Sequence, residues 1–273
     1  MVEMDAAEIC ADAGELQDAF NFSNVRKIFT KDWKEMRYNR QLFLSVLLFP
    51  LFIAVGIPLL MWGMLLGDGT PPTEFYAFFS VAINGMMKSQ FMLIPVLICG
   101  MISGDSLAGE KERKTAESLV VLPVTSKEIF VGKALAALVP ALFFTGIGFA
   151  IMSLVSNLLV LESIQAGLPL LIIGERNFWV IPFVLSPLFA LVMVQVGVMI
   201  SARLSTAKSA QQVSMIFMIP IMVLMFMSIA NPEIISDIGF LLVLSVILLS
   251  IAILFANFGG KAINKERFIA TLG

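Results

Sequence analysis

Gly109-Glu-Lys-Glu-Arg-Lys-Thr-Ala-Glu-Ser118 is a dense charged island, and Leu119-Val-Val-Leu-Pro-Val-Thr-Ser-Lys-Glu-Ile-Phe-Val-Gly-Lys133 follows it directly. Long apolar stretches flank it, and almost everything after residue 41 is hydrophobic enough for a bilayer. Charges are costly in hydrocarbon, so the island must stand in water. The chain is expected to leave the membrane here, expose a short helix and re-enter. This is where it can touch something soluble.

The rest of the chain supports that reading. It has 273 residues, 59% hydrophobic and 14% charged, with a mean hydropathy of +0.94. A soluble domain cannot cover so much apolar surface, which leaves a polytopic helical membrane protein. The apolar runs are continuous, whereas an outer-membrane barrel alternates. There is no histidine, which removes the commonest general base and metal ligand. The two cysteines, Cys10 and Cys99, make neither a disulfide framework nor a zinc site. No apolar run precedes Cys10, so a lipoprotein signal is not expected. Residues 1–22 carry six acids and no base, the reverse of a signal peptide; they read as an acidic cytosolic tail.

Six segments approach the roughly 20 residues needed to cross a bilayer. They are 42–66, 85–107, 130–156, 178–200, 213–230 and 238–258, within a six-span domain at 42–258 and before a cytosolic tail at 259–273. Asn231-Pro-Glu-Ile-Ile-Ser-Asp237 separates the last two, and 157–177 reads as an interfacial or re-entrant outer element. Prolines inside the spans suggest kinked helices around a packed centre. With the N-terminus in the cytosol, sixteen of the eighteen Lys and Arg residues fall on the cytosolic side. Only Arg176 falls outside, and Lys88 lies within a span. Both termini and the island are therefore expected in the cytosol of a cell-membrane protein.

Residues 23–41 read as an amphipathic elbow helix on the membrane surface, with Ser23 as N-cap. Val25, Ile28, Phe29, Trp33 and Met36 recur at helical spacing, and most of the bases lie elsewhere around the wheel. Within the island, Asp105 to Leu122 is patterned as a helix. Glu110 with Lys114, and Arg113 with Glu117, have i,i+4 spacing. Leu119, Val120 and Leu122 give it an apolar end, and Pro123 stops it. Thr125-Ser-Lys-Glu128 is a capping box that opens the next helix and leads into the third span. The plain alternative is a solvated loop that only serves topology.

The run Glu110 to Lys133 resembles the signature of permeases of the type-2 ABC exporter family. That signature is an acidic–basic cluster, Thr, a second acid, an apolar stretch, Pro-Val, and a Gly-Lys opening the third helix. With the surface helix and six spans, the resemblance extends from about Ser23 to the C-terminus. It implies an exporter's permease subunit that forms the translocation path. Such a subunit pairs with a second permease copy or a homologous half, and with two ATP-binding-cassette subunits. Glu110–Leu122 would then be the coupling helix, with Ala116 and Leu119 among its contacts and Glu110, Arg113 and Glu117 on the rim. The motif looks most like the sodium-extrusion branch. Many members of that branch carry a large domain between the first two spans, where this chain has only about 67–84.

No Walker A pattern occurs: Gly132-Lys133 and Gly260-Lys261 are each followed by Ala and lack the upstream glycine. ATP and Mg are expected on the partner ATPase and no cofactor on this chain; nothing points to nucleic acid. Intramembrane polar residues are few. Lys88, near the outer end of the second span beside Gln90, could snorkel to the interface. Gln195 and Asn257 are candidates for tying helices together, and Gly132, Ala136, Gly146 and Ala150 for close packing. An intramembrane protease would need His or clustered acids in the spans. Its serine–lysine variant fails because Lys88 and Ser89, being adjacent, point apart on a helix. A secondary transporter without an ATPase remains the alternative, although no clear internal repeat is visible.

Overall fold

The structure, a computed structural model, describes residues 20–65, 72–115, 124–161, 179–230 and 237–262. Every regular element among them is helical: α1 (Phe22–Tyr38), α2 (Arg40–Leu65), α3 (Pro72–Glu112), α4 (Ser126–Leu159), a π-helical turn (Ile181–Leu185) running into α5 (Ser186–Arg203), α6 (Ala207–Ile216), α7 (Ile219–Ala230) and α8 (Ile238–Ala262). Six stretches are long and apolar enough to cross a membrane, with α6 and the start of α7 together forming the fifth. The fold is an all-α membrane protein.

Two spans differ from their expected limits. The second was expected at 85–107, but α3 runs for 41 residues, about 60 Å at 1.5 Å per residue. That is about twice the hydrocarbon thickness, so α3 carries the chain well beyond the membrane. The fifth was expected from 213, but α6 begins at Ala207, where the Thr206 hydroxyl accepts from the Ser209 amide at 3.3 Å. It breaks at Phe217–Met218 and resumes as α7. Pro220 accounts for the break, since its ring would clash with the carbonyl of residue 216 in an unbroken helix.

The helix α3 is central. Burial covers 72% of its most apolar window, against 22% for α2, the fifth span and α8, so the latter face lipid or another protein. Around α3 pack α5, α6, α4, α7 and α2. Lipid tails give no hydrophobic drive between helices, so close approach and hydrogen bonds must hold the contact. Both operate between α3 and α5. A Cβ on Gly197 would lie 1.8 Å from Ser103 Oγ, so only glycine fits. One turn further, the Ser201 hydroxyl accepts from the amides of Leu107 (3.0 Å) and Ala108 (2.8 Å) and donates to the Gly104 carbonyl at 2.8 Å. That single side chain is wedged into the hydrogen-bond ladder of α3.

Candidate functional site at the charged end of the bundle

The helix α1 packs against α4 and α2, and ion pairs join it to the end of α3. At its start, Asn21 is the N-cap in place of the expected Ser23, because its Oδ1 accepts from the Ser23 amide at 2.9 Å. The expected capping box at Thr125–Glu128 is present. Its Glu128 carboxylate reaches further, accepting from the Asn21 amide at 2.5 Å and from Asn24 Nδ2 at 3.2 Å. One acid thus caps α4 and grips the start of α1. In the middle, Gly132 lets Ile28 approach so closely that a Cβ there would meet Ile28 Cγ2 at 2.8 Å. Val25, Ile28 and Met36 are buried in this contact face.

Beside that apolar contact is a buried charge network. Lys133 Nζ lies 3.1 Å from Asp32 Oδ2 and 3.2 Å from Glu110 Oε1, and donates to the Ser106 carbonyl at 2.9 Å. Glu110 also pairs with Lys31. Lys133 and Glu110 are each 1% exposed. A buried charge is tolerated only when paired and hydrogen-bonded, so these groups fix the angle between α1, α3 and α4.

The next three residues point elsewhere, because consecutive helical positions are about 100° apart. Lys111 Nζ donates to the carbonyls of Ala202 (2.6 Å) and Leu204 (3.3 Å) at the end of α5. The Glu112 carboxylate accepts from the Ala207 amide at 3.1 Å, at the start of α6. Arg113 reaches Glu35 of α1 at 2.7 Å and Asp105 at 3.5 Å. A cation thus meets a helix C-terminus and an anion a helix N-terminus, each complementing the helix dipole. Glu110-Lys-Glu-Arg113 is therefore a hub in which α1, α4, α5 and α6 converge on the end of α3.

The family model described as ABC-2 family transporter protein matches residues 26–238, which contain this hub, and no curated protein matches the chain. The chain belongs to the ABC-2 transporter family. It is a multi-pass membrane permease of the ABC-2 transporter type.

In this ABC-2 transporter protein the sequence-predicted island takes a different form. The helix expected to run from Asp105 to Leu122 ends at Glu112, and Lys114 has a left-handed φ of 57°. Glu110 was expected as a solvent-facing rim charge paired with Lys114, but it is buried and its carboxylate is taken by Lys31 and Lys133. Arg113 is exposed as expected, with Glu35 and Asp105 as partners. Ala116, Glu117 and Leu119 lie outside the described residues, as do Pro123, most of 157–177 and the tail from 263.

Sequence reasoning passed over Asp32, Glu35, Lys111 and Glu112. Asp32 left a signal: at i+4 from Ile28 and i−4 from Met36, it is an acid set in the apolar stripe of an amphipathic helix. Asp32, Glu35 and Glu110 bring carboxylate oxygens within 4.8 Å of one another. The Lys133 ammonium bridges two of them, so the protein supplies the counter-cation itself. Next to them is a cavity of about 340 Å³, lined by Met36, Ile102 and Asp105 as well as by Asp32 and Arg113.

The intramembrane polar residues do not converge. Lys88, expected near the outer end of the second span, lies sixteen residues inside α3 and is partly buried. Gln90 Oε1 and Gln195 Oε1 are buried with no hydrogen-bond partner among the described residues, and Asn257 is exposed. Of the small residues on α4, Gly132 is in tight contact, whereas Gly146 has nothing within 4 Å of its Cβ position.

Proposed function

We propose that this protein is the permease subunit of an ATP-binding-cassette exporter, with its charged end in the cytosol. Separate ATPase subunits, which carry the ATP and Mg, dock on the island, and a second permease copy or homologous half completes the translocation path. One observation carries the reading: four consecutive island residues, Glu110 to Arg113, engage α1, α4, α5 and α6. A push on the island is therefore delivered to most of the bundle at once, which suits an external motor. The basic bias supports the orientation, with both termini in the cytosol. A secondary transporter would instead need polar groups gathered at an interrupted span. The interruption here, Phe217–Met218, is flanked by apolar residues.

The test is purification of the tagged chain from its native membrane in mild detergent. The expected result is co-purification of a Walker A-containing ATPase, with hydrolysis lost once that subunit is stripped away. A chain that reproducibly purifies without any ATPase, or hydrolyses ATP alone, overturns the reading.

A further inference from the structure

We infer that Lys111 and Glu112 are positioning residues that lock the connection between α5 and α6 to the end of α3. Through this lock, island movement is passed to the fifth span as well as to α3 and α4. The inference rests on the coupling reading above and adds the route of the motion.

The connection is short, Leu204-Ser-Thr206, and both its ends are held by adjacent residues of one helix. Lys111 satisfies carbonyls at Ala202 and Leu204 that α5 leaves without intrahelical partners, and Glu112 does the same for the Ala207 amide of α6. Lys111 is only 9% exposed, so its ammonium is turned into the protein, where the two carbonyls of this connection lie within its reach. Glu110 and Arg113 hold α1 and α4 instead, which leaves the connection to the middle pair. Beyond it, Gln211 Nε2 donates to the Met101 carbonyl of α3 at 3.1 Å. The whole of α6 thus rides on α3, and the first freedom in the fifth span comes at the Phe217–Met218 break.

The experiment measures spin-label distances on the full chain in lipid nanodiscs, in a background lacking Cys10 and Cys99. Labels at Lys114→Cys and Ser205→Cys, both exposed sites, report the lock directly and need no ATPase. The expected result is a narrow distance distribution that broadens in Lys111→Met/Glu112→Gln and narrows again with Lys111→Arg/Glu112. An unchanged distribution in the double variant overturns the lock. A second pair, Ser205→Cys with Leu158→Cys, is measured with the co-purified ATPase before and after trapping with ATP and vanadate. The shift expected in the parent chain should be lost in the double variant and kept in Lys111→Arg. A shift of full size in the double variant overturns the route. Each variant is first checked for monodispersity, and the single Glu112→Gln stands in if the double variant fails to fold. Failure of the parent chain to hold any ATPase would count against the coupling reading alone, since the ATPase-free pair decides the lock.

Discussion

Lys133 Nζ lies 3.1 Å from Asp32 Oδ2, across 101 positions of sequence. The contact joins α1 to the first turns of α4, and Glu110 of α3 completes it from the other side. Three helices meet where the island begins. Their geometry there is set by charge rather than by apolar packing alone.

Lys133→Met should therefore be costly. It leaves Asp32 and Glu110 facing each other with one buried cation gone, a loss on the scale of about 3–5 kcal/mol. Unfolding in detergent, followed by denaturant titration, measures it. Lys133→Arg should recover part of the loss, and parent-like stability in Lys133→Met would remove the network from the account.

Glu110 and Arg113 should differ although they are neighbours. Arg113 and Glu35 are 41% and 38% exposed, so Arg113→Gln should cost under about 1 kcal/mol. Glu110→Gln removes a charged acceptor from a buried site and should cost about 2 kcal/mol. The same titration ranks them, and the reverse order would contradict the burial of Glu110.

The α3–α5 contact makes a paired prediction. Gly197→Ala places a methyl against Ser103 and should cost about 1–3 kcal/mol by overpacking. Ser103→Gly alone should cost about 1 kcal/mol through helix entropy. The double variant should be less destabilised than the sum of the two. Strict additivity would mean that the two residues do not touch.

The proposed ATPase contact rests on Leu119. Leu119→Asp should weaken ATPase association by about 2 kcal/mol or more, the scale of a hot-spot loss. Quantitative co-purification reads it in a correctly inserted chain. Intact association and transport would leave the island as a topology loop.

Topology can be read by labelling. Single cysteines at Asp68 and Glu175 should react with an impermeant reagent in intact cells, and one at Lys114 should not. Labelling of Lys114 from outside would reverse the orientation.

Sequence by itself determined the class, the number of spans and their order, because both hydropathy and span length are local properties of the chain. It also located the Thr125–Glu128 capping box, whose partners are three residues apart. It singled out the island and misread the pairing of Glu110 within it. By spacing, Glu110 pairs with Lys114; in the fold, Lys31 and Lys133 approach it from two other helices, and the carboxylate is buried. No local pattern could supply that, because the partners lie 79 and 23 positions away. The same holds for Lys111 and Glu112, whose partners are backbone groups at the ends of α5 and α6 and leave no mark in side-chain sequence. Tertiary structure alone decided which charges of the island face water and which hold the helices together. A charge's cost depends on the dielectric around it and on its nearest partners, and both are set only when distant helices pack.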